Sequence, residues 1–208
     1  GAPSLGPVRF AALATRSKIP VIALGGMNGP AFRRLNGSGA IGFAAFSFVP
    51  AHLHAAFGLS LGQSGAVMAL YGVGGLAWAL NAKWLIPRLG ERGLVLGGGA
   101  LLCLAMGLLA MADAWIWAAP GCLLGGIGVF MLHSTLQTHA TQMAPQSRGT
   151  GVSLFALSLF AGQSLGVTLG ALAMDLSSPR VVFGAAMVLL PLLALAFGHL
   201  LARHHRGH

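Results

Sequence analysis

Charge is what this sequence most lacks. Asp, Glu, Lys and Arg together make up 7% of its 208 residues, where soluble domains carry about 25%. A water-facing surface cannot be built from so few charges. Acids are the scarcest: there are three, Glu91, Asp113 and Asp175, and each falls at the end of an apolar block or between blocks. There are only two cysteines, Cys103 and Cys122, both inside apolar runs where they behave as small hydrophobes, which argues against a disulfide framework and leaves the redox compartment unread. Coiled-coil heptads, a collagen period and polar low-complexity tracts are absent, and no basic-then-apolar secretory signal opens the chain. It starts at Gly1 and reads as a fragment or processed piece of something longer.

What is present is apolar. Hydrophobic residues make up 56% of the chain and the mean hydropathy is +0.80. A bilayer core of about 30 Å needs about 20 mostly apolar residues per helical span. Apolar blocks at about 39 to 57, 64 to 82, 93 to 112, 115 to 133, 151 to 174 and 181 to 202 meet that length, which gives six spans. Pro50, with His52 and His54, interrupts the first block and Pro120 the fourth. Membrane helices tolerate proline where neighbours satisfy the freed carbonyl, so both prolines predict kinks. An interfacial or re-entrant segment is the rival reading of the first block.

Twelve Lys and Arg against three acids give a net charge of +9. Such a balance points to nucleic acid when the bases share one polar face, but here they fall between apolar blocks, which removes nucleic acid as a partner. Bases accumulate in cytoplasmic loops. With the N-terminus inside, one side collects Arg9, Arg16, Lys18, Arg33, Arg34, Lys83, Arg88, Arg92, Arg148, Arg203 and Arg206, and Arg180 stands alone on the other. The split predicts that both termini are cytoplasmic.

The strongest local signal joins blocks two and three: Asn81-Ala82-Lys83-Trp84-Leu85-Ile86-Pro87-Arg88-Leu89-Gly90-Glu91-Arg92-Gly93. A short basic turn with one acid can lock two helix ends by charge pairs and helix-dipole contacts; an ordinary positive-inside loop has the same composition. The stretch resembles the loop between the eighth and ninth helices of the major facilitator superfamily, whose pattern runs Gly-x-x-x-Asp-Arg-x-Gly-Arg-Lys/Arg. Arg88, Gly90 and Arg92 match it, while Pro87 replaces the Asp and Lys83 the first Gly, which weakens a gating salt bridge here. Ala144-Pro145-Gln146-Ser147-Arg148-Gly149-Thr150-Gly151 is similar to the family's junction of helices ten and eleven, and Phe57-Gly58-Leu59-Ser60 closes block one. The resemblance covers about residues 45 to 202 and identifies the six blocks with helices seven to twelve, the C-terminal half of such a transporter. It implies alternating access for a small solute, no enzymatic step, no cofactor, a bacterial inner membrane, and a missing N-terminal six-helix half or a second copy as partner.

Polar side chains at membrane depth are candidates for function because burying them in lipid is costly. The candidates for the solute pathway are His52, Asn81, His133, Gln137, Gln163 and Ser164, with His54, His139 and Thr168 close by. On a helix His52 and His54 point about 200° apart, so at most one lines a pathway. No buried histidine pair has the i, i+4 spacing of a helical metal site and no carboxylate accompanies one, so metal binding is not expected. With no buried acid, proton coupling would fall to a histidine here or to the missing half. Gly162-x-x-x-Gly166-x-x-x-Gly170 makes a small-residue stripe that permits close helix packing. Gln163, Ser164 and Thr168 beside it face either a water-filled path or their own helix backbone.

Residues 1–47 differ in character. Ile19 to Asn28, a helical stretch through Phe32-Arg33-Arg34-Leu35, and Gly39 to Ser47 resemble the last strand-helix-strand of a thiamine phosphate synthase-like barrel. In that family the matching positions, Gly25, Gly26 and Ser47, bind a phosphate through backbone amides. Two strands cannot close an eight-stranded barrel, so the resemblance implies a vestige. Ala40 to Phe48 is claimed by both resemblances, and the uncharged run on to Phe57 favours a membrane helix. The expected architecture is an all-α membrane protein: a six-helix transmembrane bundle over 39–202, a β-α-β-like appendage over 1–38 and a basic tail over 203–208. The alternative is a truncated phosphate-binding segment fused to a membrane anchor.

Overall fold

The computed structural model describes residues 44–142 and 148–204. Ala44–Phe46 are helical and Ser47–Phe48 form a turn. There follow α1 Val49–Phe57, α2 Leu61–Ala110, a single 3-10 turn at Trp115–Trp117, α3 Ala118–Gln142, α4 Arg148–Leu176 and α5 Pro179–His204. Among the described residues there is no strand. Helices α2 to α5 are each long and apolar enough to cross a bilayer. The chain is therefore an all-α, multi-pass membrane protein.

At 50 residues, α2 would be about 75 Å long if straight, more than twice a hydrocarbon core. It is bent at Gly90, where φ is 61° and ψ 172°, a backbone region open essentially to glycine alone. Pro87 in the preceding turn removes a helical hydrogen bond and helps end the first limb. The contacts show that the two limbs run in opposite directions. Along 61–89, Tyr71 and Gly74 meet Gly126, and Trp78 packs with Met131, so residue numbers rise together and this limb is parallel to α3. Along 91–110, Leu94 packs with Met131, Gly98 faces Gly128 and Ala105 faces Gly121, so this limb is antiparallel to α3. The second limb is antiparallel to α5 as well, through Leu96 near Gly198, Gly99 against Ala194 and Gly107 near Met187.

The remaining elements keep the alternation. Gly166 of α4 faces Ala44, and Gly170 faces Phe48, so α4 is parallel to the first block. A Cβ at Gly166 would lie 2.7 Å from that of Ala44, so the two segments lie close there. Two ends result. One gathers the turns at 58–60, 111–117 and 177–178; the other gathers Gly90, the end of α3, the start of α4 and the end of α5. Lys83, Arg88, Arg92, Arg148 and Arg203 belong to the second end, while Asp113, Asp175 and Arg180 belong to the first.

The core runs through the middle. Phe46, Val49 and Leu53 of the first block meet Val95, Leu102 and Met106 of α2, Cys122, Val129 and Leu132 of α3, and Phe183 and Leu190 of α5. Between apolar helices in lipid, close van der Waals packing replaces the hydrophobic drive. Gly74 and Gly126 make the tightest backbone approach: a side chain at either would strike the other helix's backbone at Leu123 O or Tyr71 O.

The two prolines expected to kink spans do not. Pro50 sits at the start of α1 and Pro120 in the first turn of α3, where a missing N–H costs nothing because those donors have no helical partner. The first block is instead broken at Ser47–Phe48, ahead of Pro50. From Ala44 to Phe57 it reaches about 21 Å at 1.5 Å per residue.

Candidate functional site

The turn between α1 and α2 is specified locally. Gly58 closes α1 with φ 66°, its N–H donating to His54 O at 3.1 Å. Ser60 opens α2 with a capping box: Gln63 N–H donates to Ser60 Oγ at 3.2 Å and Ser60 N–H to Gln63 Oε1 at 2.9 Å. A rigid three-residue turn fixes the register of the two helices, and Phe46 against Tyr71, ring centroids 4.8 Å apart, confirms it. Residues six positions either side of Gly58 then share a depth. These are His52 and Ser64, and both are buried.

His52 is 3% exposed. Its ring lies edge-on to Phe57 at 5.6 Å and to Phe183 of α5 at 5.3 Å. Among the described residues neither of its ring nitrogens has a hydrogen-bond partner, nor does Ser64 Oγ. Leaving a buried polar group unsatisfied costs about 1–3 kcal/mol, which makes this pair a candidate for function. Phe57, which packs on His52, also lines a cleft of about 450 Å³ with Leu59, Gln63, Ala66 and Trp115. His54 is exposed and its Nδ1 lies 2.7 Å from Leu59 O, so of the two histidines only His52 faces inward, as the angular argument requires. Ser64 was missed in the sequence; its signal was its symmetry with His52 about the Gly58 turn.

The other pathway candidates lie elsewhere. Asn81 is exposed on the first limb of α2 and its Nδ2 donates to Ala77 O at 2.8 Å. His133 is half-buried on α3, its ring 5.3 Å from Phe155 of α4. Gln137, one turn on, is exposed, as is Ser164 on α4, and Gln163 is half-buried. Thr168 is also exposed and donates to Ser164 O at 2.9 Å, satisfying its own helix. The structure thus spreads the six over three depths: His52 near one end, Gln163 and Ser164 midway, and Asn81, His133 and Gln137 toward the basic end. Gly162 lies on the same helix as Gln163 and is half-buried.

The loop motif is an ordered bend. The Arg88 guanidinium stacks 3.6 Å above the Trp84 ring, and Glu91 Oε2 lies 3.1 Å from His139 Nε2 of α3. His139 in turn meets Phe197 of α5 edge-on at 6.0 Å. Glu91 also lines a small cavity of about 80 Å³ with Ser134, Thr135 and Thr138. The acid that locks this turn is Glu91, beside Arg92, rather than a residue at the Pro87 position. Among the described residues no three His, Cys, Asp or Glu side chains gather as a metal site. Of the phosphate-binding positions, Gly25 and Gly26 lie outside the described residues. Ser47 sits in a turn between two helical stretches, not at the end of a strand.

The comparisons with known proteins agree with the helix pattern. The family model for the Major Facilitator Superfamily matches residues 35–208. A Bacillus subtilis (strain 168) protein described as an uncharacterized MFS-type transporter, YfkF, is 31% identical over 111 residues, which is 50% of this chain and 28% of that protein. The matched part is thus less than a third of the relative's length. Neither match supports the barrel resemblance of residues 1–47.

Proposed function

The chain belongs to the Major Facilitator Superfamily, and from that premise we propose that it is the C-terminal six-helix half of a transporter that moves a small solute by alternating access. The observation that carries this reading is the set of polar side chains at membrane depth that none of the described helices covers: Asn81, Gln137 and Ser164 are all exposed, on three different helices. Polar groups facing hydrocarbon are costly, and a second six-helix half would enclose them around a water-filled path, as transporters with repeated halves do. A missing N-terminal half or a second copy of this chain supplies that cover. His52, His133 and Gln163 join the pathway as groups reached when the two halves rock.

On this reading 39–202 is the transmembrane domain and 203–208 a cytoplasmic basic tail. The Gly90 end, with Arg88, Arg92 and Arg148, faces the cytoplasm, since bases are retained there. The two limbs of α2 are then the second and third of six spans.

The test is aqueous access, because it needs no knowledge of the solute. On a Cys-free background in native membranes, single cysteines at Ser60, Asp113 and Ser177 are expected to label from one side and those at Arg88, Arg148 and His208 from the other. A cysteine at Ser164 is expected to react with a membrane-impermeant maleimide despite lying midway through α4. If Ser164→Cys is inert from both sides while the loop cysteines label as stated, the half is a membrane subunit with no path along this face.

A further inference from the structure

A second cleft, of about 400 Å³, opens between the second limb of α2 and α5. Cys103, Leu104, Gly107 and Met111 form one wall, Met187 the other, and Trp117 of the 3-10 turn closes one end. Its depth comes from Gly107, whose missing side chain leaves the floor open: a Cβ there would sit 3.5 Å from Met187 Sδ, in ordinary contact. We propose that this groove is a binding site for one acyl chain of a membrane phospholipid, held as a resident ligand distinct from the exchanging lipid around the bundle.

The neighbouring sequence decides the chemistry of the occupant. Between Gly93 and Ala110, and between Val181 and Gly198, the two bordering spans contain no charged, amide or hydroxyl side chain. A polar solute would find no partner there, and a covering helix would find none of the side-chain hydrogen bonds that link membrane helices. The rim is strongly apolar and open: Leu104 is 59% and Met111 76% exposed. Methionine side chains adapt to irregular, flexible partners. Trp117 at the mouth, 52% exposed, is the residue type that settles at the headgroup level, so a chain entering past it would leave its headgroup at the interface. The site lies away from Asn81, Gln137 and Ser164 and does not depend on the transport reading.

The test uses the full chain purified in mild detergent. Phospholipid with a brominated acyl chain is titrated in, and Trp fluorescence of the wild type is compared with that of Trp117→Phe, whose difference isolates Trp117. The expected result is quenching of Trp117 that saturates at about one lipid per protein, with Gly107→Leu, which fills the floor, abolishing the saturable phase. Gly184→Leu, placed in open space on α5, is expected to leave it intact. Quenching that only rises in proportion to the lipid fraction overturns the proposal, as does equal saturation in Gly107→Leu. If Gly107→Leu does not fold, the wild-type titration against Trp117→Phe decides alone.

Discussion

Helices α3 and α4 are built from the same materials and occupy opposite environments. Both are long, glycine-rich and apolar with a scatter of Ser, Thr and Gln. Yet half of the apolar window of α3 is buried in this chain, against 17% for α4. The difference lies in who touches them. α3 is a post gripped on two sides, by the first limb of α2 running parallel and the second running antiparallel. α4 meets the first block through Gly166 and Gly170 and leaves Phe160, Leu165, Leu169 and Leu172 uncovered. An apolar composition states that a helix belongs in a membrane; only its neighbours state whether it faces protein or lipid.

Glycine substitutions separate the two helices most sharply. In α3, Gly126→Ala sets a methyl against the Tyr71 backbone carbonyl, which no rotamer change can move. Overpacking of this kind costs about 1–3 kcal/mol, and a large fall in the thermal midpoint in detergent is expected. In α4, Gly170→Ala meets the Phe48 ring at 2.5 Å, a side chain that can turn aside. The loss there is expected to be well under that of Gly126→Ala. Equal losses would mean that α4 is as tightly held as α3 and would dissolve the comparison.

Gly90→Ala tests the bend that lets α3 be gripped twice. Its positive φ with extended ψ costs a residue bearing a Cβ about 1–3 kcal/mol, with nothing within 4 Å to clash. The effect is therefore purely one of backbone strain. Gly90→Asn is expected to be tolerated no better, since asparagine relieves only the left-handed helical region. The check is the thermal midpoint beside the rate of proteolysis at the bend.

The hairpin that pairs His52 with Ser64 is held more lightly. Ser60→Ala removes the N-cap acceptor and half of the capping box, worth about 0.5–2 kcal/mol. It should weaken the start of α2 without disturbing α3 or α4, and hydrogen exchange at Gln63 and Ser64 is the direct readout.

Much of this architecture was legible in the sequence. The last five apolar blocks reappear as the two limbs of α2 and as α3, α4 and α5, while the first is described only from Ala44. The separation of His52 from His54 also followed from helical geometry alone. What was not legible depended on contacts between helices. Pro50 and Pro120 read as kinks because a proline inside an apolar block and one at a helix's first turn look alike until the helix start is known. The bend at Gly90 falls inside the basic turn read at 81–93, but that the helix runs up to this glycine and resumes directly after it was not legible. The polar candidates read as one list because sequence gives depth along a helix and not the face. In space they divide into an inward His52, a half-buried His133 and Gln163, and an outward Asn81, Gln137 and Ser164.

The smallest expected effect lies at the basic end, where α3 meets the bend. Glu91 and His139 are 39% and 18% exposed, so solvent screens them, and exposed pairs contribute about 0–1 kcal/mol. Glu91→Gln should therefore lower stability slightly, and added salt should shrink the gap between variant and wild type. A gap that salt leaves unchanged would mean that Glu91 acts at this end through packing or hydrogen bonding and not through charge. The outward face of α4, at Leu165 and Leu169, is apolar and exposed, so no substitution there should show a salt dependence, and a salt-sensitive effect would reveal a charged neighbour supplied by a partner.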